Sequence, residues 1–312
     1  MAVEKFNHVM IMGAGAVGGF VGARMIQKNA AEVDFIARGQ HYHKMRDEGL
    51  RFITPEKEYQ LDLPVFSNPA DSGKVYDLVI VAVKSGDTAQ ALGQMRPVIG
   101  EQTQVLTIQN GLENYEYLRD ELGQGRVVRG FCRLGCEVTA PGEITYRSLG
   151  EVTIGEEDGA ESDRCRAIKA LMDQSGITCM IAGDIRRQAW KKMIWNTVFN
   201  CISGLTATTL DGIFNDPDIL KVAKGIAWEL RNIAAAEGVD ISDDKISEIF
   251  ERTGKLGAFK TSTYQDRLKS KPMEYRALSG YAVRKATEAG VKAPKLETVN
   301  AMLKLTESSE RY

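Results

Sequence analysis

The sequence predicts an α/β fold, in which a doubly wound, mostly parallel sheet is followed by an all-helical domain. In the first half, short apolar runs typical of buried strands alternate with amphipathic segments typical of helices. A glycine-rich turn joins the first of these runs to the first helix. After Gly183 the chain shows helical periodicity with almost no strand pattern. These observations predict two domains, residues 1–184 and residues 185–312.

The predicted sheet is built from runs of apolar residues, which suit parallel strands buried on both faces. Strands are expected at residues 9–12, 33–37, 77–83, 103–108 and 177–181. The helices between them are expected at residues 17–29, 88–95 and 162–174. Residues 126–155 are rich in strand-forming residues and contain a turn at Pro141-Gly142.

The second half predicts helices connected by short loops. They are expected at residues 185–205, 218–237, 243–252, 272–289 and 294–305. Ser242 precedes the third of them as an N-cap, and Gly238 and Gly290 are typical helix stops.

The composition indicates an ordinary globular protein with no strongly charged surface. Lys and Arg (40) nearly balance Asp and Glu (42), for a net charge of −2, so no overall field favours nucleic acid or an anionic membrane. The five cysteines are scattered without a C-x-x-C pair, as in reduced cytosolic proteins. Neither a signal peptide nor the ~20 apolar residues of a membrane span is evident. We therefore expect a cytoplasmic protein.

The glycine-rich turn has the pattern G-x-G-x-x-G and consists of Gly13, Ala14, Gly15, Ala16, Val17 and Gly18. It follows a predicted strand and opens a predicted helix, which is the context that pyrophosphate binding requires. Glycines allow a tight turn and a close approach of backbone N–H groups to the phosphates at a positive helix end. The pattern therefore predicts a dinucleotide site in a Rossmann-like domain.

The end of the second strand indicates which dinucleotide is bound. An acidic residue there would bind the ribose 2′-hydroxyl of NAD, but this strand ends in Arg38, whose guanidinium suits the 2′-phosphate of NADP. Asp34 is the competing candidate, although it falls early in the strand. His41 and His43 are expected to be ordinary loop residues. All three histidines lie in the first 45 residues, and we expect no metal site.

Two further strand ends carry polar residues that could reach a ligand. Lys84 follows the third predicted strand and could contact a cofactor phosphate or ribose. Asn110 follows the next strand and offers both a donor and an acceptor. Ligands of open parallel sheets bind at this edge. Plain turn residues remain the alternative for each.

A polar stripe is predicted on the first helix of the second half. Lys192, Asn196 and Asn200 recur every four residues and share one face at ~3.6 residues per turn. Their neighbours are apolar, so the stripe should line a cavity; an interdomain hydrogen-bond seam is the alternative. Hydride addition to a ketone needs a proton donor, and a partly desolvated lysine can supply one.

These residues resemble the ketopantoate reductase family. GAGAVGG, FIAR, VAVKS, IQNGLEN, AWKKMIWNTVFN and TSTYQDRLKSKPMEYRALSG occur in the family's order over nearly the whole chain. The resemblance implies reduction of the 2-oxo acid ketopantoate to pantoate by NADPH, in the route to pantothenate and coenzyme A. It implies a small-molecule partner, and a homodimer is the oligomer to test.

The resemblance also implies individual roles. Lys192 matches the proton donor, and Glu274 matches an acidic residue near that lysine and the cofactor. Asn196, Asn200, Asn110 and Ser262 match substrate contacts, Ser262 being the one that holds the carboxylate. Thr263, Tyr264 and Gln265 complete the Ser262 segment. The matched cofactor contacts are Arg38, Lys84, Asn110 and Cys136.

Departures from the family pattern leave the substrate open. Ser203-Gly204 and Ser279-Gly280 replace family residues, and Asp211 stands where some members have an asparagine. A relative that reduces another 2-oxo acid is one alternative. A 3-hydroxyacid dehydrogenase, which shares K-x-x-x-N, is a second. A non-catalytic NADP-binding sensor is a third.

Overall fold

The computed structural model describes residues 5–309, and these divide into two compact units. The first unit is the chain up to Gln109 together with Asn114–Ile185. The second is Asn110–Glu113 together with the chain from Arg186 onwards. The chain therefore leaves the first unit briefly after Gln109 and returns to it. We keep residues 1–184 and 185–312 as proposed functional domains.

Within residues 5–309 the strands form one ten-stranded sheet that lies in the first unit. The strands are β1 (His8–Met12), β2 (Glu32–Ile36), β3 (Leu50–Ile53), β4 (Glu58–Leu61), β5 (Val65–Phe66), β6 (Leu78–Val81), β7 (Gln104–Thr107), β8 (Val127–Ala140), β9 (Glu143–Gly155) and β10 (Thr178–Ile181). Their order is β4-β3-β9-β8-β7-β6-β1-β2-β5, with β10 beside β9. The pairs β3–β4 and β8–β9 are antiparallel and the others are parallel.

Helices cover both faces of this sheet. They are α1 (Ala16–Gln27), α2 (Gly39–Glu48), α3 (Thr88–Met95), α4 (Glu113–Leu122) and α5 (Asp163–Gln174). Successive strand residues point to opposite faces, so Val9 and Ile11 of β1 join a core with α1 and α5, whereas Met10 and Met12 join a core with α3 and α4. The predicted doubly wound, mostly parallel sheet is confirmed.

The second unit is helical, and no strand occurs in it between residues 186 and 309. Its helices are α6 (Ile185–Trp195), α7 (Cys201–Thr206), α8 (Leu210–Asn215), α9 (Pro217–Ala236), α10 (Asp243–Gly254), α11 (Ser262–Leu268), α12 (Ser279–Ala289) and α13 (Pro294–Ser309). The buried carboxylate of Glu229 in α9 accepts the N–H groups of Lys295 and Leu296 at 3.1 and 2.8 Å, which caps α13. No helix among the described residues is long and apolar enough to cross a membrane.

Three sequence expectations need correction. His41 and His43 are not loop residues, because they lie on α2, a polar helix whose only buried residue is Met45. The helix expected at 272–289 is interrupted: a 3-10 turn spans Glu274–Ala277, and α12 starts only after Leu278, whose ψ of −96° is not helical. The helix expected at 185–205 contains a π-helical segment, Asn196–Asn200, between α6 and α7.

Candidate functional site

The glycine-rich turn places each of its three glycines where a side chain has a different consequence. Gly13 has a φ of +107°, and a Cβ there would lie 2.8 Å from a methyl group of Val83. A Cβ on Gly18 would lie 2.1 Å from the carbonyl oxygen of Gly13, so the first turn of α1 packs directly on the loop. A Cβ on Gly15 would meet no atom of residues 5–309 within 4 Å. The open space at Gly15 is where a ligand can approach the backbone.

The amino end of α1 suits an anionic group. Gly15 is its N-cap residue, no side chain caps the helix, and the first turn contains no acidic residue. Its first N–H groups lack partners inside the helix and carry a partial positive charge. Ala16 and Val17, half-buried, form the first turn, while buried Ala14 donates its N–H to Ile36 at 2.8 Å. These residues fit a pyrophosphate.

The structure distinguishes Asp34 and Arg38, the two residues of the β2 region that could determine the cofactor preference. Asp34 is buried and accepts hydrogen bonds from Nζ of Lys74 at 2.8 Å and from the hydroxyl of Tyr76 at 2.6 Å. It is therefore committed to the core of its own unit. Arg38 is the N-cap residue of α2, with a side chain that is 75% exposed and forms an ion pair with Asp87. Arg38 can reach a ligand, and Asp87 is a neighbour that sequence reasoning missed.

The other proposed cofactor residues of the first unit differ in surroundings. Lys84 is exposed and precedes the 3-10 turn Ser85–Asp87 after β6. Cys136 lies half-buried in β8 opposite Tyr146 of β9. Burial raises the pKa of the Cys136 thiol to about 12, so the sulfur is protonated at neutral pH.

A buried polar network fixes the ends of β6 and β7, and sequence reasoning missed it. The side-chain amide of Gln109 donates to the carbonyl of Val83 at 3.0 Å and to the hydroxyl of Thr88 at 2.9 Å. That hydroxyl in turn donates to the amide oxygen of Asn114 at 2.8 Å. Gln109 immediately precedes Asn110, and these two adjacent polar residues after an apolar strand were the available sequence signal. The network holds the strand ends that carry Lys84 and Asn110.

The second unit brings four of the predicted residues together around Asn110. The ammonium of Lys192 donates to Oδ1 of Asn110 at 3.0 Å, and Nδ2 of Asn196 donates to the same oxygen at 3.4 Å. The amide nitrogen of Asn110 donates to Oε2 of Glu274 at 3.4 Å. One amide therefore connects the candidate proton donor with the candidate acid. We call Lys192, Asn110, Asn196 and Glu274 the lysine cluster.

Asn200 contacts a different residue and has an unused acceptor. Its amide nitrogen donates to the hydroxyl of Ser262 at 3.4 Å. Its amide oxygen is buried and finds no hydrogen-bond partner among the described residues. A buried polar atom without a partner costs free energy, so this oxygen is suited to a donor on a bound ligand.

The three polar residues of the predicted stripe do not share one regular α-helix. Lys192 is on α6, whereas Asn196 and Asn200 are the first and last residues of the π-helical segment. Single π turns inside α-helices often occur at functional sites. The wider turn still allows Lys192 and Asn196 to meet the same oxygen of Asn110.

The segment around Ser262 mixes site and packing residues. Thr261 caps α11 by accepting the N–H of Tyr264 at 3.3 Å. Thr263 is buried, and its methyl group would lie 2.6 Å from a Cβ on Gly204. The amide of Gln265 donates to the carbonyl of Lys260 at 2.9 Å. Ser262 is exposed and is the member of this segment placed against Asn200.

Comparison with known proteins agrees with both units. The family model described as ketopantoate reductase PanE/ApbA matches residues 9–159, and the model of its C-terminal part matches residues 184–307. The chain belongs to the ketopantoate reductase family. The predicted family is thus confirmed, and the family is one of oxidoreductases.

Relatives and solved structures extend this result over the whole chain. A 2-dehydropantoate 2-reductase of Nostoc sp. is 28% identical over 308 residues, covering 96% of this chain and 95% of its own length. A PanE/ApbA family ketopantoate reductase from Ralstonia eutropha has a TM-score of 0.90 at 29% identity, over 98% of this chain and 100% of that one. D-mandelate dehydrogenase with NADH and anilino(oxo)acetate has a TM-score of 0.91 at 20% identity, which is a likeness of fold.

Proposed function

We propose that this ketopantoate reductase family member reduces ketopantoate to pantoate with NADPH. The observation that carries the proposal is the lysine cluster, in which Asn110 holds the ammonium of Lys192 on one side and the carboxylate of Glu274 on the other. The relatives named 2-dehydropantoate 2-reductase support the substrate. An orienting amide and acid around a lysine are what a positioned general acid requires.

The residues of the first unit would hold the cofactor. The backbone of Gly13–Gly18 would bind the pyrophosphate, Arg38 would bind the 2′-phosphate, and Lys84 would contact a phosphate or the ribose. When bound, NADPH supplies the hydride for the keto carbon. Because the carboxylate of Asp34 is bonded to Lys74 and Tyr76, Asp34 does not compete for the ribose 2′-hydroxyl of NAD, and this supports NADPH.

Lys192 would supply the proton. As the carbonyl carbon accepts a hydride, negative charge develops on the carbonyl oxygen, and an ammonium both stabilises that charge and protonates it. The hydrogen bond to Asn110 restricts the directions in which Nζ of Lys192 can point. Glu274 would keep the amide of Asn110 oriented, with its oxygen turned towards the lysine.

The remaining polar groups would select the substrate. The exposed hydroxyl of Ser262 would bind the carboxylate of the 2-oxo acid. The amide oxygen of Asn200, which has no partner among the described residues, can accept a hydrogen bond from a hydroxyl group. Ketopantoate carries such a hydroxyl group, and plain 2-oxo acids lack it. This favours ketopantoate over an unhydroxylated 2-oxo acid.

The two serines that depart from the family pattern are compatible with ketopantoate as the substrate. Ser203 is fully buried and shares a hydrogen bond with Thr261. Ser279 is also fully buried, and its hydroxyl donates to the side chain of Asn300 at 2.9 Å. Both serines therefore pack helices together, and neither is a reason to expect a different substrate. A cytoplasmic location and a homodimer stay predictions, the latter to be checked by sedimentation.

A panel of substrates tests the proposal. Purified protein is assayed for NADPH oxidation with ketopantoate and with 3,3-dimethyl-2-oxobutanoate, which has the same quaternary carbon but a methyl group in place of the hydroxymethyl group. We expect ketopantoate to have the higher kcat/KM, because only ketopantoate carries a hydroxyl group that can donate to the amide oxygen of Asn200. Oxidation of 3-hydroxy acids, or turnover of no 2-oxo acid at all, would contradict the proposed function.

A further inference from the structure

His41 uses both nitrogens of its ring to hold backbone groups of two other segments. Its Nε2 lies 2.8 Å from the carbonyl oxygen of Ala14, and its Nδ1 accepts the N–H of Gly142 at 2.9 Å. Because Nδ1 accepts a hydrogen bond it carries no hydrogen, so the neutral ring has its hydrogen on Nε2 and donates it to Ala14. His41 therefore connects the glycine-rich turn with the turn between β8 and β9.

The carbonyl that His41 holds belongs to the peptide between Ala14 and Gly15. The described residues contain no cis peptide bond. In a planar trans peptide the carbonyl and the next N–H point in opposite directions. Holding the oxygen of Ala14 towards His41 therefore turns the N–H of Gly15 away from the ring. A Cβ on Gly15 would meet no atom of the described part of the chain within 4 Å, so there is room for a ligand beside this residue.

We propose that His41 is a positioning residue of the dinucleotide site, which fixes the Ala14–Gly15 peptide so that the Gly15 N–H points at the pyrophosphate. The proposal rests on the proposed function only in taking a nicotinamide dinucleotide as the ligand. A peptide that is free to rotate must lose that freedom when the anion binds, and His41 removes this cost in advance.

His41 could also affect dinucleotide binding by positioning Arg38, because Arg38 is the N-cap residue of the same helix. The two ways have different signatures. NADPH and NADH share the pyrophosphate, so an effect on the Gly15 peptide weakens both equally. An effect through Arg38 weakens NADPH alone, because only NADPH carries the 2′-phosphate.

Three substitutions of His41 separate its two hydrogen bonds. His41→Ala removes both. His41→Gln keeps an N–H donor at the position of Nε2, and His41→Asn keeps an acceptor at the position of Nδ1. His43→Ala is the matched control, since His43 is an exposed histidine on the same helix. Arg38→Ala provides the signature of a lost 2′-phosphate contact.

The measurement is the Kd of NADPH and of NADH for the full-length protein without substrate, followed by the fluorescence of the bound nicotinamide. We expect His41→Ala to raise both Kd values by about two- to tenfold, the size of one hydrogen bond. His41→Gln should restore both, and His41→Asn should not. The kcat at saturating NADPH should stay near that of the wild type, and thermal unfolding of each unliganded variant checks that it is folded.

Several results would overturn the proposal. Rescue by His41→Asn instead of His41→Gln would show that the Gly142 contact matters and the Ala14 contact does not. Loss of NADPH affinity alone would assign the effect to Arg38, and a His43→Ala loss of equal size would make it non-specific. Wild-type protein that binds dinucleotide but reduces no 2-oxo acid would refute the proposed function and leave this test standing. Wild-type protein that binds neither dinucleotide would refute both.

Discussion

Asn110 is the residue on which the candidate chemistry converges. Its single amide oxygen accepts from both Lys192 and Asn196, and its amide nitrogen donates to Glu274. A side-chain amide has an oxygen that accepts hydrogen bonds and a nitrogen that donates them. It can therefore lie between a cation and an anion and form a hydrogen bond with each. A carboxylate at this position could accept from the lysine but could not donate to Glu274, and an aliphatic residue could do neither.

Replacing the candidate proton donor is the first test at this scale. Lys192→Ala is expected to lower kcat by about 10²–10⁴-fold, the usual contribution of a positioned general acid. The Kd of NADPH should not change, because the phosphates are assigned to residues of the other unit. Steady-state rates and dinucleotide titration measure the two quantities.

Lys191→Ala is the matched control for that substitution. A hydrogen bond from Lys245 holds the pKa of Glu248 low, and the nearby ammonium of Lys191 contributes to the same shift. Adjacent residues of an α-helix point about 100° apart around its axis, so Lys191 of α6 does not share the direction in which Lys192 meets Asn110. If both substitutions slow turnover equally, Lys192 is not the proton donor.

Cofactor preference is the second test at the residue scale. Arg38→Ala should raise the KM for NADPH and leave the KM for NADH nearly unchanged, since its exposed guanidinium is assigned to the 2′-phosphate. Asp87→Asn should lower the KM for NADPH, because the carboxylate that pairs with Arg38 also repels that phosphate. Equal changes with both cofactors would remove Arg38 from the 2′-phosphate site.

Among the secondary-structure elements, the glycine-rich turn contains one glycine that matters for stability, Gly18, and another that matters for ligand binding, Gly15. Gly18→Ala should destabilise the protein by about 1–3 kcal/mol, because its methyl group would overlap the carbonyl of Gly13. Gly15→Ala should leave the unfolding temperature unchanged but weaken NADPH binding, because its methyl group enters open space. Thermal unfolding without ligand and dinucleotide titration measure the two effects. Loss of stability in Gly15→Ala would contradict this division.

Sequence reasoning found the elements whose burial produces a recognisable pattern of apolar residues along the chain. Strands β1 and β6 are buried at nearly every position, and this continuous burial leaves an apolar run in the sequence. Helix α2 leaves no such run, since Met45 is its one buried residue. The π-helical segment is buried throughout and therefore has no amphipathic period to read.

The candidate site was predictable where its contacts are local in sequence. Lys192 and Asn196 are four residues apart, and the spacing alone placed them together. Glu274 is 164 positions from Asn110, so its contact could come only through family resemblance. His41 meets residues 27 and 101 positions away, and nothing in its own surroundings in the sequence marks it as part of the loop.

For the molecule as a whole, the half-buried ion pair between Glu156 and Arg164 makes stability depend on pH. Burial alone would raise the pKa of Glu156, but hydrogen bonds from Arg164 and Ser162 outweigh it and hold the pKa below its usual 4.5. The folded state therefore binds this proton less readily than the unfolded state. The stabilisation is complete above pH 4.5 and is lost as the pH falls through the folded-state pKa.

Urea unfolding at a series of acidic pH values tests this linkage. Glu156→Gln should reduce the loss of unfolding free energy below pH 4.5, because the neutral amide has no proton to gain. Glu161→Gln, at an exposed position nearby, should leave the wild-type slope unchanged. An unchanged slope in Glu156→Gln would show that other carboxylates govern the acid transition.

The brief excursion of the chain at Asn110–Glu113 determines how the protein can be divided. These residues are flanked on both sides by the first unit but belong to the second. A single cut near Ile185 therefore yields a helical fragment that has Lys192 without the amide that orients it. Fragment complementation would have to supply Asn110 from the other piece. The same obstacle applies to chimeras of two relatives made with one crossover near residue 185. The helical half of such a chimera comes from one relative, whereas the residue at position 110 comes from the other.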